Sequence, residues 1–191
     1  MSTFIIDLEW LVEHGSCYFD EAGNPVNSDA SCWATRLPVE VRELAAMCDI
    51  PIEDRLWVLY QLMSRDQRRQ AARHSARACI GEWVGNVPAV VRQWLRYGSA
   101  KYQDQANRLI QDTVHTMPNE DSGPTAKRAH MACRSASWTT WVGSSNGDYP
   151  AGAPLAAWEN SLKARANQDN IEDTALSYAL ALLDLNACEA K

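Results

Sequence analysis

The chain has 191 residues, 46% hydrophobic and 22% charged, with a formal net charge of −6. That length is ample for burying the interior of a single domain over residues 1–191. Nine Gly and eight Pro are too few for a disordered or collagen-like chain, and no apolar run approaches the roughly 18 residues a membrane span needs. The opening MSTFIIDLEW carries Asp7 and Glu9 where a signal peptide would carry Lys or Arg, so a soluble, cytoplasmic protein with no membrane association is expected.

Helical punctuation recurs along the whole chain. Thr3 is positioned to cap a first helix with Phe4, Leu8, Leu11 and Val12 on its apolar face, closing at Gly15. A short helix is expected near residues 29–36, presenting Cys32 and Trp33. Pro38 suits the first turn of the next, with Val41, Leu44, Ala45 and Cys48 along one side. Ile52, Leu56, Leu59, Tyr60 and Met63 continue the helical period after Pro51. Ser64-Arg65-Asp66-Gln67 is a capping-box pattern that opens a long helix to about Trp83. Asn86 and Pro88 begin another, which passes through Val91, Trp94 and Leu95 to Gly98. Ser99 starts a helix carrying Tyr102, Ala106, Leu109, Ile110 and Val114.

Residues 117–124 read as a loop, and a helix follows from Thr125 to about Val142. Gly143 to Pro154 reads as a longer loop. Two helices finish the chain, one with Leu155, Trp158 and Leu162, the other with Ile171, Ala175, Tyr178, Leu182 and Leu183. No run of five or more residues alternates as a strand would. The expected fold is therefore all-α, a compact bundle of about nine or ten helices joined by short loops.

The six cysteines stand at least fifteen residues apart, without the Cys-x-x-Cys knuckles of a zinc ribbon, and read as reduced thiols. Cys48, Cys79 and Cys133 sit on helical faces as small buried hydrophobes. His14 with Cys17 and His130 with Cys133 share a His-x-x-Cys spacing. Two such pairs could complete a zinc tetrahedron, but Gly15 breaks the first helix. A capping His14 and a core-edge His130 account for both pairs, so no metal and no cofactor is expected. Gly143-Ser144-Ser145-Asn146-Gly147 matches the spacing of a nucleophile elbow, but a helix enters it and a loop leaves it, so Asn146-Gly147 reads as a turn. Glu53-Asp54 and Glu172-Asp173 complement helix N-termini. Nothing here supports catalysis.

Charge is segregated. Residues 1–54 carry eleven acids and two bases, residues 55–108 ten bases and three acids, and the rest ten acids and six bases. Arg65, Arg69, Arg73 and Arg77 are spaced by four, with Arg68 beside them, a stripe about 18 Å long on one helix. Like charges at that spacing destabilise a helix, so the stripe is either paired internally, with the acidic N-terminal block as the obvious source, or used. Its use would be docking to a protein partner with an acidic surface, or to nucleic-acid phosphates; an overall pI near 5.2 weakens the second. Eight tryptophans suit a bundle whose helices are otherwise rich in small residues. Trp138 and Trp141, three apart, cannot both reach the core centre, so one borders a surface groove as a binding anchor.

Leu8-Glu9-Trp10-Leu11-Val12-Glu13-His14-Gly15-Ser16-Cys17 resembles the opening of the all-helical immunity-protein family of bacterial and phage genomes. Asp54-Arg55-Leu56-Trp57-Val58-Leu59, with Ala71-Ala72 and Ala78-Cys79, resembles its next helices, and Ala126, Ala129, Ala132 and Ala136 its alanine-rich tail. The resemblance touches about half the chain and carries over no binding residue. It implies a non-enzymatic helical protein that neutralises a macromolecule; phage counter-defence factors, anti-CRISPR proteins among them, share this profile. The expected function is inhibition of a protein partner by steric occlusion, with Arg65, Arg68, Arg69, Arg73, Arg77, Trp138 and Trp141 as the binding residues. Nucleic-acid or phosphate binding through the same arginines is the alternative, and an enzyme of unknown kind the third.

Overall fold

A computed structural model of the chain describes residues 4–26, 30–83, 85–117, 120–141, 151–164 and 171–189, the side chains of 120, 171–173 and 185–189 excepted. Among the described residues there are ten α-helices and one two-stranded sheet, so the chain is all-α, as its spacing predicts.

The N-terminus departs from expectation. Ile5–Ile6 forms a strand, β1, paired antiparallel with β2 (Val39–Glu40), so that Ile5 faces Glu40 and Ile6 faces Val39. The first helix, α1 (Leu8–Glu13), starts only after Asp7, whose side chain accepts from the Trp10 backbone N–H at 2.9 Å. Asp7 therefore takes the capping role assigned to Thr3, and two β-branched residues before it favour extended backbone. Phe4, expected on a buried helical face, is 45% exposed. Pro38, expected inside a helix, instead precedes β2 through a cis peptide bond from Leu37. Helix α2 (Ala30–Ala34) buries Trp33. Helix α3 (Val41–Ala46) buries Val41, Leu44 and Ala45 but ends before Cys48, which is exposed rather than buried.

Helix α4 (Ile52–Leu62) buries Ile52, Leu56, Leu59 and Tyr60, with Met63 just past its end, in the period the sequence shows. The full capping box forms at α5 (Arg65–Cys79): Ser64 Oγ accepts from Gln67 N, and Gln67 Oε1 accepts from Ser64 N. The Gln67 amide also donates to the Leu182 carbonyl, which ties the start of α5 to α10 (Ile171–Glu189). A 3-10 turn over Ile80–Glu82 replaces the expected last turn of α5. Helices α6 (Ala89–Tyr97) and α7 (Ala100–Thr116) flank Gly98, which ends α6 in the left-handed conformation at φ 65°. Helix α8 (Pro124–Trp141) follows a 3-10 turn at Glu120–Ser122, and α9 spans Gly152–Ala164, starting two residues before the expected loop boundary at Pro154. Pro154 lies in its first turn, where a missing N–H is tolerated.

Helices α5, α8 and α9 pack mutually. Their facing surfaces are small: Ala71, Ala72, Ala76 and Cys79 on α5, Ala129, Ala132, Cys133 and Ala136 on α8, Ala157, Ser161 and Ala164 on α9, all buried. Small side chains let helix axes approach toward the short end of the 8–10 Å range, so dispersion between backbones replaces bulky interdigitation. Ser135 Oγ crosses the seam to the Ala157 carbonyl at 2.6 Å. Bulk comes from elsewhere: Trp33, Trp83, Trp94 and Trp158 are buried, Trp10, Trp57 and Trp138 partly so. No disulfide joins any of the five described cysteines.

Candidate functional site

The guanidinium stripe lies on α5, which packs against α6, α8, α9 and α10. It is not one solvent-facing line. Arg65 and Arg77 are exposed, whereas Arg68, Arg69 and Arg73 are partly buried. Arg73 is seated most specifically: its guanidinium lies over the Trp94 indole, 5.3 Å from the ring centroid. Its terminal atoms also fill the space beside Gly98, where a Cβ would stand 2.2 Å from Cζ. A cation on an aromatic face gains from the ring quadrupole, more so where water is excluded.

Acids of the N-terminal block are used nearer home. Arg36 pairs with Asp49 at 2.6 Å, holding that carboxyl below its usual range, and Arg42 pairs with Asp184 of α10. Arg69 pairs with Asp66 of its own helix at 3.4 Å. Arg68, Arg73 and Arg77 form no ion pair among the described residues. Burial, then the neighbouring Arg77, disfavours the charged form of Arg73, and Arg69 adds to this, while Tyr178 and Asp66 offset part of it; burial and Arg65 disfavour the charged form of Arg68. The stripe thus holds mutually repelling, partly desolvated cations, a state that an external anionic group relieves.

Trp94 joins the stripe to the tryptophan pair. Its indole N–H donates to Thr139 Oγ1 at 2.8 Å, one residue from Trp138. Thr140 fixes the next turn by donating to Asn107 Oδ1 at 2.8 Å, while Gln103 donates to the Thr140 carbonyl at 3.2 Å. Trp138 and Trp141 keep their rings in contact, with centroids 6.4 Å apart, but differ in burial. Trp138 packs against buried Ala72 and Ala157, whereas Trp141 is 53% exposed and borders a hollow of about 320 Å³ with Gln103, Asp104 and Asn107.

Sequence reasoning missed the α6–α7 corner. Tyr97, 63% exposed, carries Arg96 over its ring at 5.2 Å, and Lys101 lies over Tyr102 at 5.6 Å. Their turn, marked by Gly98-Ser99, is legible in the sequence. That it abuts Arg73 is not, because the contact joins residues 25 apart in the chain.

His74 lies between Arg73 and Arg77 with its ring stacked on Tyr178 at 3.9 Å. Burial, then Arg77, holds its pKa below the ordinary 6.5. The folded state therefore favours the neutral ring, and the unfolded chain takes up the proton first as pH falls. This contribution to stability is complete above about 6.5 and is lost as pH falls through the lowered folded value. Melting temperature should consequently drop more steeply from pH 7.5 to 5 in the wild type than in His74→Phe, which keeps the stack. Parallel profiles would show that His74 is not the source.

The two His-x-x-Cys pairs do not converge. His14 caps α1, with Nδ1 2.8 Å from the Trp10 carbonyl, and His130 lies on α8 with Nδ1 buried. No cluster of three or more His, Cys, Asp or Glu side chains able to hold a metal occurs among the described residues. Residues 143–147, with the elbow-like spacing, lie outside the described residues, as do Asn119 and the side chains of Glu172, Asp173 and Cys188. Among the described residues no helix is long and apolar enough to cross a membrane.

The fold and this face define an all-α protein with an arginine–aromatic surface at the meeting of α5, α6, α7 and α8. No protein-family model matches the chain, and no curated protein or solved structure is significantly similar to it.

Proposed function

We propose that the chain is a non-enzymatic binding protein that occludes an acidic surface of a protein partner through this face. The observation that carries the reading is Arg73 and Arg77, one turn apart on the same side of α5, which form no ion pair among the described residues although the chain carries 24 acids. Cationic groups steer encounter, and Tyr97 and Trp141 offer the amphipathic rings on which interface affinity concentrates. A protein is favoured over nucleic acid because the acidic N-terminal block, net −9, would repel a polyanion approaching along its length. An immunity-type or counter-defence role is the biological form this takes if the partner is a toxin or a defence protein.

The test uses Arg69→Glu with Arg77→Glu, which flank Arg73 on the same side of α5. Each reversal relieves a like-charge neighbour, so the melting temperature should stay within about 2 °C of wild type or rise slightly. A photo-crosslinking residue at position 77 should capture a protein in cells, and purified partner should bind the double variant at least about tenfold more weakly than wild type. Its activity should fall in the presence of wild-type chain and recover with the variant. Unchanged affinity in a folded variant would remove the stripe from the interface. Binding of duplex DNA with a steep salt dependence would assign the face to nucleic acid instead.

A further inference from the structure

A second site shares no residue with the arginine face. Residues 15–18, Trp33 of α2, the first half of α4 and Leu155 of α9 line a pocket of about 210 Å³. That is smaller than the roughly 300–1,000 Å³ of drug-sized sites, so its occupant is a compact molecule. Three aromatic side chains line it: Tyr18, Trp33 and Trp57, with the Tyr18 and Trp33 ring centroids 6.2 Å apart. Two carboxylates, Glu53 and Asp54, line it from the first turn of α4. The Tyr18 hydroxyl donates to Asp54 Oδ2 at 2.5 Å, which holds that carboxylate in place across the pocket.

Two further lining groups lack partners. Trp33 is only 2% exposed, and its Nε1–H is buried without a hydrogen-bond partner among the described residues; the same holds for Ser16 Oγ. An indole N–H can only donate, so it calls for an acceptor. Buried polar groups in folded proteins are nearly always satisfied, so these two groups favour an occupant that offers a hydrogen-bonding atom.

We propose that this pocket binds a small alkylated ammonium compound that also carries a hydrogen-bond acceptor. The pairing of aromatic walls with carboxylates selects a cation whose surface is apolar. Alkyl groups on nitrogen leave few N–H donors to satisfy and reduce the hydration lost on entry. The acceptor meets Trp33 Nε1–H and Ser16 Oγ. An anion is repelled by Glu53 and Asp54, and a purely apolar guest leaves Trp33 and Ser16 unsatisfied.

Calorimetric titration of the full chain with choline tests this, because choline joins a trimethylammonium group to a hydroxyl. Its uncharged carbon isostere, with tert-butyl in place of trimethylammonium, has the same shape. Choline should bind saturably, and the isostere at least about tenfold more weakly. Trp57→Leu should lose about tenfold in choline affinity, whereas Trp57→Phe, which keeps an aromatic face, should retain most of it. Equal binding of choline and its isostere would overturn the proposal, as would no saturable choline binding up to about 10 mM. Both of these comparisons use the wild-type chain, so they stand whatever a variant does to folding.

Discussion

Replacing Trp94 by Ala should destabilise the protein by about 3–5 kcal/mol, the range for truncating a fully buried aromatic ring. Trp94 is 1% exposed, and its removal leaves a void between α6 and α8. The Thr139 hydroxyl loses the donor at 2.8 Å, although it keeps its own bond to the Ala136 carbonyl at 2.6 Å. The Arg73 guanidinium loses the ring beneath it. For a chain of this length each kcal/mol moves the melting temperature by about 2–4 °C, so thermal unfolding should shift down by about 10 °C. Trp94→Phe keeps a ring for packing and for the cation but drops the N–H, and should cost about 1–2 kcal/mol. A Trp94→Ala variant melting within about 2 °C of wild type would refute the junction of α5, α6 and α8 as the organising centre of the face.

The parts of this architecture legible in the sequence are those governed by local chemistry. Ser64 and Gln67 satisfy each other's backbone partners within four residues, so their pattern announces the start of α5 directly. The Pro88 to Gly98 frame of α6 and the apolar period of α4 are of the same kind. Where the sequence misleads, a distant partner decides. Ile5 and Ile6 become a strand because Val39 and Glu40 offer backbone bonds from more than thirty residues away. Charge segregation suggests that the acidic block neutralises the stripe, but Asp49 meets Arg36 of the same block, and Arg42 reaches forward to α10. The five arginines and the tryptophan pair are visible as periodic features. What sits on them is not: Trp94, Gly98 and Thr139 become site residues only through tertiary packing. The ammonium pocket is still less legible, since Tyr18 and Asp54 meet across 36 positions.

Gly98 offers the sharpest control over Arg73, because it touches the guanidinium without a side chain of its own. It ends α6 at φ 65°, ψ 18°, with its N–H bonded to the Trp94 carbonyl at 2.8 Å. Gly98→Ala imposes two separable effects. The left-handed backbone costs an L-residue about 1–2 kcal/mol. The new methyl group would stand 2.2 Å from Arg73 Cζ and 2.4 Å from both terminal nitrogens, so the guanidinium must leave. Because those atoms are the far end of a flexible side chain, Arg73 can swing out while the helices stay in place. The loss is then the cation–π contact with Trp94, about 0.5–2 kcal/mol beyond the backbone cost. A double-mutant cycle with Arg73→Met isolates it: Met keeps an apolar stem and removes the charge. Gly98→Ala should cost about 0.5 kcal/mol or more less in the Arg73→Met background than in wild type. Gly98→Asn, whose backbone visits the left-handed region more readily, should show a smaller backbone cost but the same displacement. If the arginine face docks a partner, Gly98→Ala should also weaken that partner's binding while Gly85→Ala, a left-handed glycine with open space around its Cβ position, should not. Equal costs in both backgrounds would show that Arg73 does not rest against Gly98 in solution, and would leave the seating of the guanidinium on Trp94 without support.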